Sequence, residues 1–387
     1  MTVSDLKQQL HSYREAAESM RDILLANVVM IGEIPAPTCY EDQRVQFIQN
    51  RFSECGLQNC SADEVGNGFG ILNGSVGERN LLLVAHADTI FSDKVDHTIS
   101  LLSDRIMGPG VGDNSLGVAV LASLPLLLER LDIQLKSNLI LMAGARSLGS
   151  GNLEGLRFFL HNNKQPIAGA LCVEGVKLGR LSYSSIGMLR GEISVRVPEM
   201  YDWSRFGASG AIITLNDIIN KITRIPLPKR PKTSIVLGTI EGGNSFNNIA
   251  THSLLRFEIR SESAEVVHDI LAEIRDRITE TELESSAEIA LDILARREPG
   301  GIDFRHPLVR QARDVLKALH IEPRVAPSTS ELAELIRHDI PAITLGLTTG
   351  KKHMQQVEEV DIEPIFQGIA QLLGVLVAMD EGLCDEH

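Results

Sequence analysis

Aromatic residues make up only 4% of this 387-residue chain, so its core has to be built from Leu, Ile, Val and Ala rather than from rings. Basic charge is scarce as well: 37 Lys and Arg stand against 51 Asp and Glu, a formal net charge of −14 at pH 7. So acidic a chain has little with which to neutralise phosphates, which argues against nucleic acid or an anionic membrane as partner. Long apolar runs are missing too. The longest, Leu116 to Leu128, is interrupted by Gly117, Ser123 and Pro125 and is too short to span a bilayer. The opening MTVSDLKQQLHSYREAAESM is polar and helix-like, without the basic-then-apolar layout of a secretion signal. Five cysteines (Cys39, Cys55, Cys60, Cys172, Cys384) are scattered singly, which excludes a Cys-x-x-Cys metal pair and disfavours a disulfide framework. These absences together predict a cytoplasmic protein.

What is present is ordinary globular material, 43% apolar and 23% charged, in a chain long enough for two domains. Leu81 to Ala85, Leu139 to Ala143 and Ala170 to Val173 are short continuous apolar runs, suited to strands buried on both faces. Helical patterns at Ser115 to Leu131 and Leu153 to Asn162 alternate with them. The expected fold class is therefore α/β, with a mainly parallel, doubly wound sheet. Near Gly187 the pattern changes to strand, helix, strand, strand, helix, strand, ending near Ala295. That order suits an inserted α+β domain. The expected organisation is one discontinuous domain of residues 1–186 and 300–387, with residues 187–299 inserted as a lid or dimerisation domain.

The chemistry-bearing signal is a strand that ends in His86, within LLLVAHADTI. Open α/β sheets bind ligands at the carboxyl ends of their strands. Asp88, two residues on, is placed to accept a hydrogen bond from the second ring nitrogen and so orient His86. GPGVGDNSLG then sets Asp113 in a glycine-rich loop that opens a helix. By itself His-x-Asp is a weak signal. Two other glycine patterns carry no chemistry: Gly144 and Gly149 are followed by Ser150 and Gly151 rather than the Lys of a phosphate loop, and GPGVGD lacks the last glycine of a dinucleotide fingerprint.

HADTI, GPGVGDNSLG, GGNSFNNIA with FEIR, and a late histidine in TTGKKH occur in this order, preceded by the phrases IGEIPAPTCYED and DEVGNGFGILNG. The ordered set, spanning about residues 30 to 380, resembles the di-zinc metallopeptidase and amidohydrolase family that includes glutamate carboxypeptidase, acetylornithine deacetylase, succinyl-diaminopimelate desuccinylase, aminoacylase and peptidase T. The resemblance implies that His86 and Glu174 hold a first metal, that Asp113 bridges, and that His353 serves a second. Without it, Glu174 reads equally as a strand-end acid facing solvent and His353 as a surface residue between polar neighbours. It also implies that Asn247 and Arg260 hold a substrate carboxylate, a task the Arg fork suits; a solvated strand-end cation is the other reading of Arg260.

The resemblance breaks where the family carries a Glu-Glu pair, its general base and a ligand of the second metal. LILMAGARSLGSG has Ala145 and Arg146 there. Alanine cannot move a proton, and arginine cannot ligate a cation. Arg146 is therefore expected to fill the second metal position beside Asp113 and His353. The family's domain-borne histidine is replaced by Tyr201 in YDW, and Ser330 and Leu332 replace an expected Asp and Asn. The expected cofactor is zinc, one ion or none rather than two, with cobalt or manganese also suited to the ligands. Expected partners are a small peptide or N-acyl amino acid with a free carboxylate, and a second copy of the chain through the inserted domain. The expected function is that of a zinc-dependent peptide or N-acyl amino-acid hydrolase with severely impaired hydrolysis. The alternatives are an inactive protein that binds such compounds, or a scaffold for an active paralogue.

Overall fold

The computed structural model describes residues 3–198, 210–285, 287–353 and 357–386. The chain divides into two compact units, Met1–Ser184 with Gly301–His387, and Ser185–Gly300.

The first unit is built on an eight-stranded sheet. Its centre is four parallel strands: β1 (Asn80–His86), β2 (Asn138–Gly144), β3 (Ile167–Val176) and β4 (Ala342–Thr348), adjacent in the order β2-β1-β3-β4. Every residue of β1 is buried, as continuous apolar runs require when both faces are covered. Alternation sorts the side chains. Leu81, Leu83 and Ala85 enter a large core with the helices Leu116–Arg130 and Glu363–Asp380, whereas Leu82 and Val84 face a second core. In that second core Ile140, Met142, Ala170 and Cys172 meet Leu156, Leu160, Leu332 and Leu335. The outer strands depart from the parallel pattern: Gly68–Leu72 lies antiparallel on β2, and Arg180–Ser182 antiparallel on β4.

A smaller antiparallel sheet, not foreseen from the sequence, joins Gly350–His353, Val357–Asp361, Arg105–Gly108 and Ser100–Leu101. Among the described residues one helical stretch, Val111–Arg130, is long and apolar enough by composition to cross a membrane, and 89% of its apolar window is buried inside the fold.

The second unit is a four-stranded antiparallel sheet in the spatial order Thr233–Gly242, His252–Ser261, Gly187–Arg196, Glu288–Arg297. The helices Ala211–Thr223 and Ala264–Glu284 cover one face. Leu255, Phe257 and Ile259 alternate into that core, and Ser263 caps the second helix by accepting from the Val266 N–H at 3.4 Å. The outer strand Thr233–Gly242 is exposed along most of its length.

Candidate metal and substrate site

His86 is the last residue of β1 and Glu174 lies near the end of β3. These strands are parallel neighbours with Val84 opposite Cys172, so His86 and Glu174, two residues further on, emerge at one edge on one face. Asp113 arrives from the turn Val111–Ser115. One ligand atom from each of His86, Asp113 and Glu174 lies within 4.8 Å of the others, a grouping that can hold a metal ion. The Asp113 turn is tied down on both sides. Asn114 donates to the Val173 carbonyl and accepts from the Gly175 N–H, both at 2.8 Å. Glu358 accepts from the Gly112 and Asp113 N–H groups at 3.0 Å each.

The contact orienting His86 differs from the expected one. Its Nδ1 lies 3.0 Å from the main-chain carbonyl of Asp88, and the Asp88 carboxylate is further away at 3.4 Å. A carbonyl only accepts, so Nδ1 carries a proton, and Nε2 lies 3.1 Å from Asp113 Oδ1. With Nδ1 held as a donor, Nε2 is the ring atom left for a metal. Burial by itself would depress the imidazole pKa, but Asp113 and Asp88, with the charge of Glu331, lift it well above its usual value. Burial works on Asp88 in the opposite sense and is outweighed by His86 and by hydrogen bonds from Leu148 N–H and Thr38 Oγ1, both at 2.8 Å; the carboxyl stays below its usual range. Glu174 is driven the other way. Burial raises its pKa to about 7, although Arg180, 3.8 Å from its Oε1, and His86 favour the charged form.

The loop that follows β2 carries Ala145 and Arg146, and three side chains pin its backbone. Asn67 accepts from Ala145 N–H at 2.9 Å, Glu41 from Arg146 N–H at 3.0 Å, and Asp88 from Leu148 N–H at 2.8 Å. Ala145 is fully buried. Arg146 has a positive φ of 51°, and its guanidinium pairs with Glu154 at 3.2 Å. The arginine expected beside Asp113 and His353 is thus paired with an acid in the first turn of the following helix, Glu154–Asn162. The left-handed turn at Arg146 starts the short connection that brings that helix within reach of its guanidinium.

Other anticipated residues are distributed as follows. His353 ends the strand Gly350–His353, and its side chain lies outside the described residues, as does the whole of Tyr201. Asn247 and Arg260 belong to the second unit. Asn247 Oδ1 accepts from Ser245 Oγ at 2.7 Å, and Arg260 pairs with Glu258, which also holds Arg190 at 2.7 Å. Ser330 bonds Ser328 at 2.8 Å, and Leu332 is buried in the second core. A cavity of about 980 Å³ adjoins the Asp88 loop, lined by Thr38, Tyr40, Ile90, Asp93 and Gly149 among others.

Sequence reading assigned no role to Arg44, Glu41, Arg180 or Glu331. Arg44 and Arg180 lie in no recognisable pattern, whereas Glu41 closes the phrase IGEIPAPTCYE and Glu331 stands between the replaced positions Ser330 and Leu332. Asn67 and Asn114 had a signal, since both sit inside the glycine-rich phrases DEVGNGFG and GPGVGDNSLG.

Residues 204–286 match the sequence profile of a peptidase dimerisation domain. No curated protein sequence matches the chain. Its fold is similar to that of human carnosine dipeptidase 1, at 12% identity and a TM-score of 0.77, over 96% of this chain and 99% of that one. The dipeptidase Dug1p of Saccharomyces cerevisiae is alike at 13% identity and a TM-score of 0.76, over 98% and 99%. YXEP of Bacillus subtilis, described as a dinuclear metal-binding peptidase of the M20 family, is alike at 15% identity and a TM-score of 0.63, over 93% and 99%. At these identities the likeness establishes a shared fold.

Proposed function

Starting from a chain with the fold of M20-family peptidases, we propose that it binds one divalent cation and a small carboxylate-bearing peptide or N-acyl amino acid, and hydrolyses such compounds poorly. The observation that carries this reading is the loop after β2. Its backbone is held by Asn67, Glu41 and Asp88, yet it offers buried Ala145 and an Arg146 already paired with Glu154.

The donor set fits one cation. His86 offers Nε2, which a cation would take in exchange for a proton, Asp113 and Glu174 offer carboxylates, and this nitrogen-and-oxygen set suits zinc, cobalt or manganese. A second cation beside Asp113 finds no donor at position 146. Bound at His86, Asp113 and Glu174, a cation supplies Lewis-acid polarisation of a carbonyl oxygen. The Asp88 carbonyl fixes the imidazole, and the Asp88 carboxylate braces the loop at Leu148. No group at position 145 takes a proton, and losing a positioned base costs about 10² to 10⁴ in rate. Asn247 and Arg260 are the candidates for a ligand carboxylate.

Purified full-length chain, stripped and then offered zinc, is expected to retain about one ion, as a mononuclear hydrolase site would. Turnover of dipeptides and N-acetyl amino acids is expected below about 0.1 s⁻¹, against roughly 10 s⁻¹ for a typical enzyme. Those compounds should still raise the melting temperature. Ordinary turnover on any of them would sink the impaired-hydrolysis reading.

The match at residues 204–286 supports pairing of two copies through the second unit. Val236 and Ile240 are exposed on its outer strand, and Ile212 and Ile213 on its first helix. Sedimentation equilibrium of the full chain should give a dimer that Ile240→Lys with Val236→Lys dissociates. A wild-type monomer at all concentrations removes this part of the proposal.

A further inference from the structure

Glu331 is 3% exposed, and its Oε1 is buried with no hydrogen-bond partner among the described residues. A carboxylate in that state costs several kcal/mol unless something neutralises it. Its place in the fold points to what does. Leu332, the next residue, packs in the second core with Val84 and Cys172. Those two residues precede His86 and Glu174 by two positions on β1 and β3, so alternation puts His86 and Glu174 on the face that Leu332 covers. Glu331 begins the segment that covers this face. It is close enough for its charge to act on both side chains. Arg180, 3.8 Å from Glu174 Oε1, also donates to Ser328 Oγ at 3.5 Å, linking the Glu331 segment to the ligand strand.

We infer that Glu331 is a fourth site residue, an outer carboxylate whose buried, unpartnered oxygen is compensated by the cation held at His86, Asp113 and Glu174. This rests on the cation reading above and extends it to a residue outside the anticipated ligand set.

The test uses the full chain stripped of metal, with zinc titrated calorimetrically and melting temperature measured on the metal-free form. Glu331→Gln removes the charge and keeps the shape. It is expected to weaken zinc binding by about 10- to 100-fold, the usual effect of losing an outer partner of a metal site. The same variant should melt higher than wild type without metal, because the unpaired charge is gone. Glu334→Gln is the control, removing a carboxylate from the same helix segment with a similarly buried, unbonded oxygen, 3.8 Å from Arg337. It should leave zinc affinity unchanged. Zinc binding by wild type with equal affinity in Glu331→Gln overturns this inference and leaves the cation reading standing. No zinc binding by wild type sinks both. Should Glu331→Gln not fold, Glu331→Asp withdraws the charge by one methylene, and unaltered zinc affinity in that variant overturns the inference equally.

Discussion

Replacing Arg44 with alanine is expected to remove about 3–5 kcal/mol of stability, since hydrogen bonds from a charged donor contribute roughly 1.5–3 kcal/mol each and several are lost together. The side chain is 1% exposed and satisfies main-chain carbonyls of two separate segments. Its Nε donates to Ile34 O at 2.9 Å, its Nη1 to Ala87 O at 3.1 Å and Ser115 Oγ at 3.3 Å, and its Nη2 to Gly32 O at 3.3 Å. Burial lowers its pKa to about 10, with Asp88 and Glu41 pulling the other way, so it stays charged at neutral pH. Truncation leaves those acceptors buried and unpaired and opens a cavity. Because Ala87 follows His86 and Ser115 follows the Asn114 that clamps the Asp113 turn, the same change should weaken metal binding. Arg44→Lys should recover only part of the loss, since an ammonium cannot reproduce the planar fork. Urea denaturation of the metal-free chain measures this. A difference below about 1 kcal/mol would show that the network is incidental.

Metal-free protein should lose about 3 kcal/mol between pH 4.5 and pH 7 on account of Glu174. A carboxyl whose folded pKa is raised, here from 4.5 to about 7, binds its proton more tightly folded than unfolded. Rising pH therefore removes stability across that interval and has no further effect through this group above it. His86 acts in the same direction. Its folded pKa is raised, so its contribution is present below 6.5 and is lost as pH climbs through the higher folded value. Asp88 is the reverse case, its lowered pKa making it a source of acid instability below about pH 4. Zinc competes with protons for these ligands, so the loaded protein should gain rather than lose melting temperature as pH rises. Glu174→Gln should flatten the metal-free profile. An unchanged slope in that variant would assign the titration elsewhere.

Much of the fold was legible because burial on both faces writes itself as continuous apolar runs. Leu81 to Ala85 announced β1, and the alternation of Glu192 to Val197 announced a half-exposed strand, which lies almost wholly within Gly187–Arg196. His86 was legible as a candidate because it closes an apolar run, whereas Glu174 was singled out only through the family resemblance. The partners of Arg146 were not. The residue's number says that it stands where an acid was expected, but a positive φ at Arg146 and a helix starting at Glu154 decide where its guanidinium goes.

By itself the sequence determined the α/β class, the strand-helix-strand-strand-helix-strand segment and the candidacy of His86, Asp113 and Glu174, because periodicity and residue chemistry are local properties. Only the tertiary structure decided that those three converge within 4.8 Å, that Arg44 holds the backbone at Ala87 and the side chain of Ser115, and that Glu331 is buried. The convergence of His86, Asp113 and Glu174 depends on strand order and on which face each strand presents, and no local pattern along the chain encodes either.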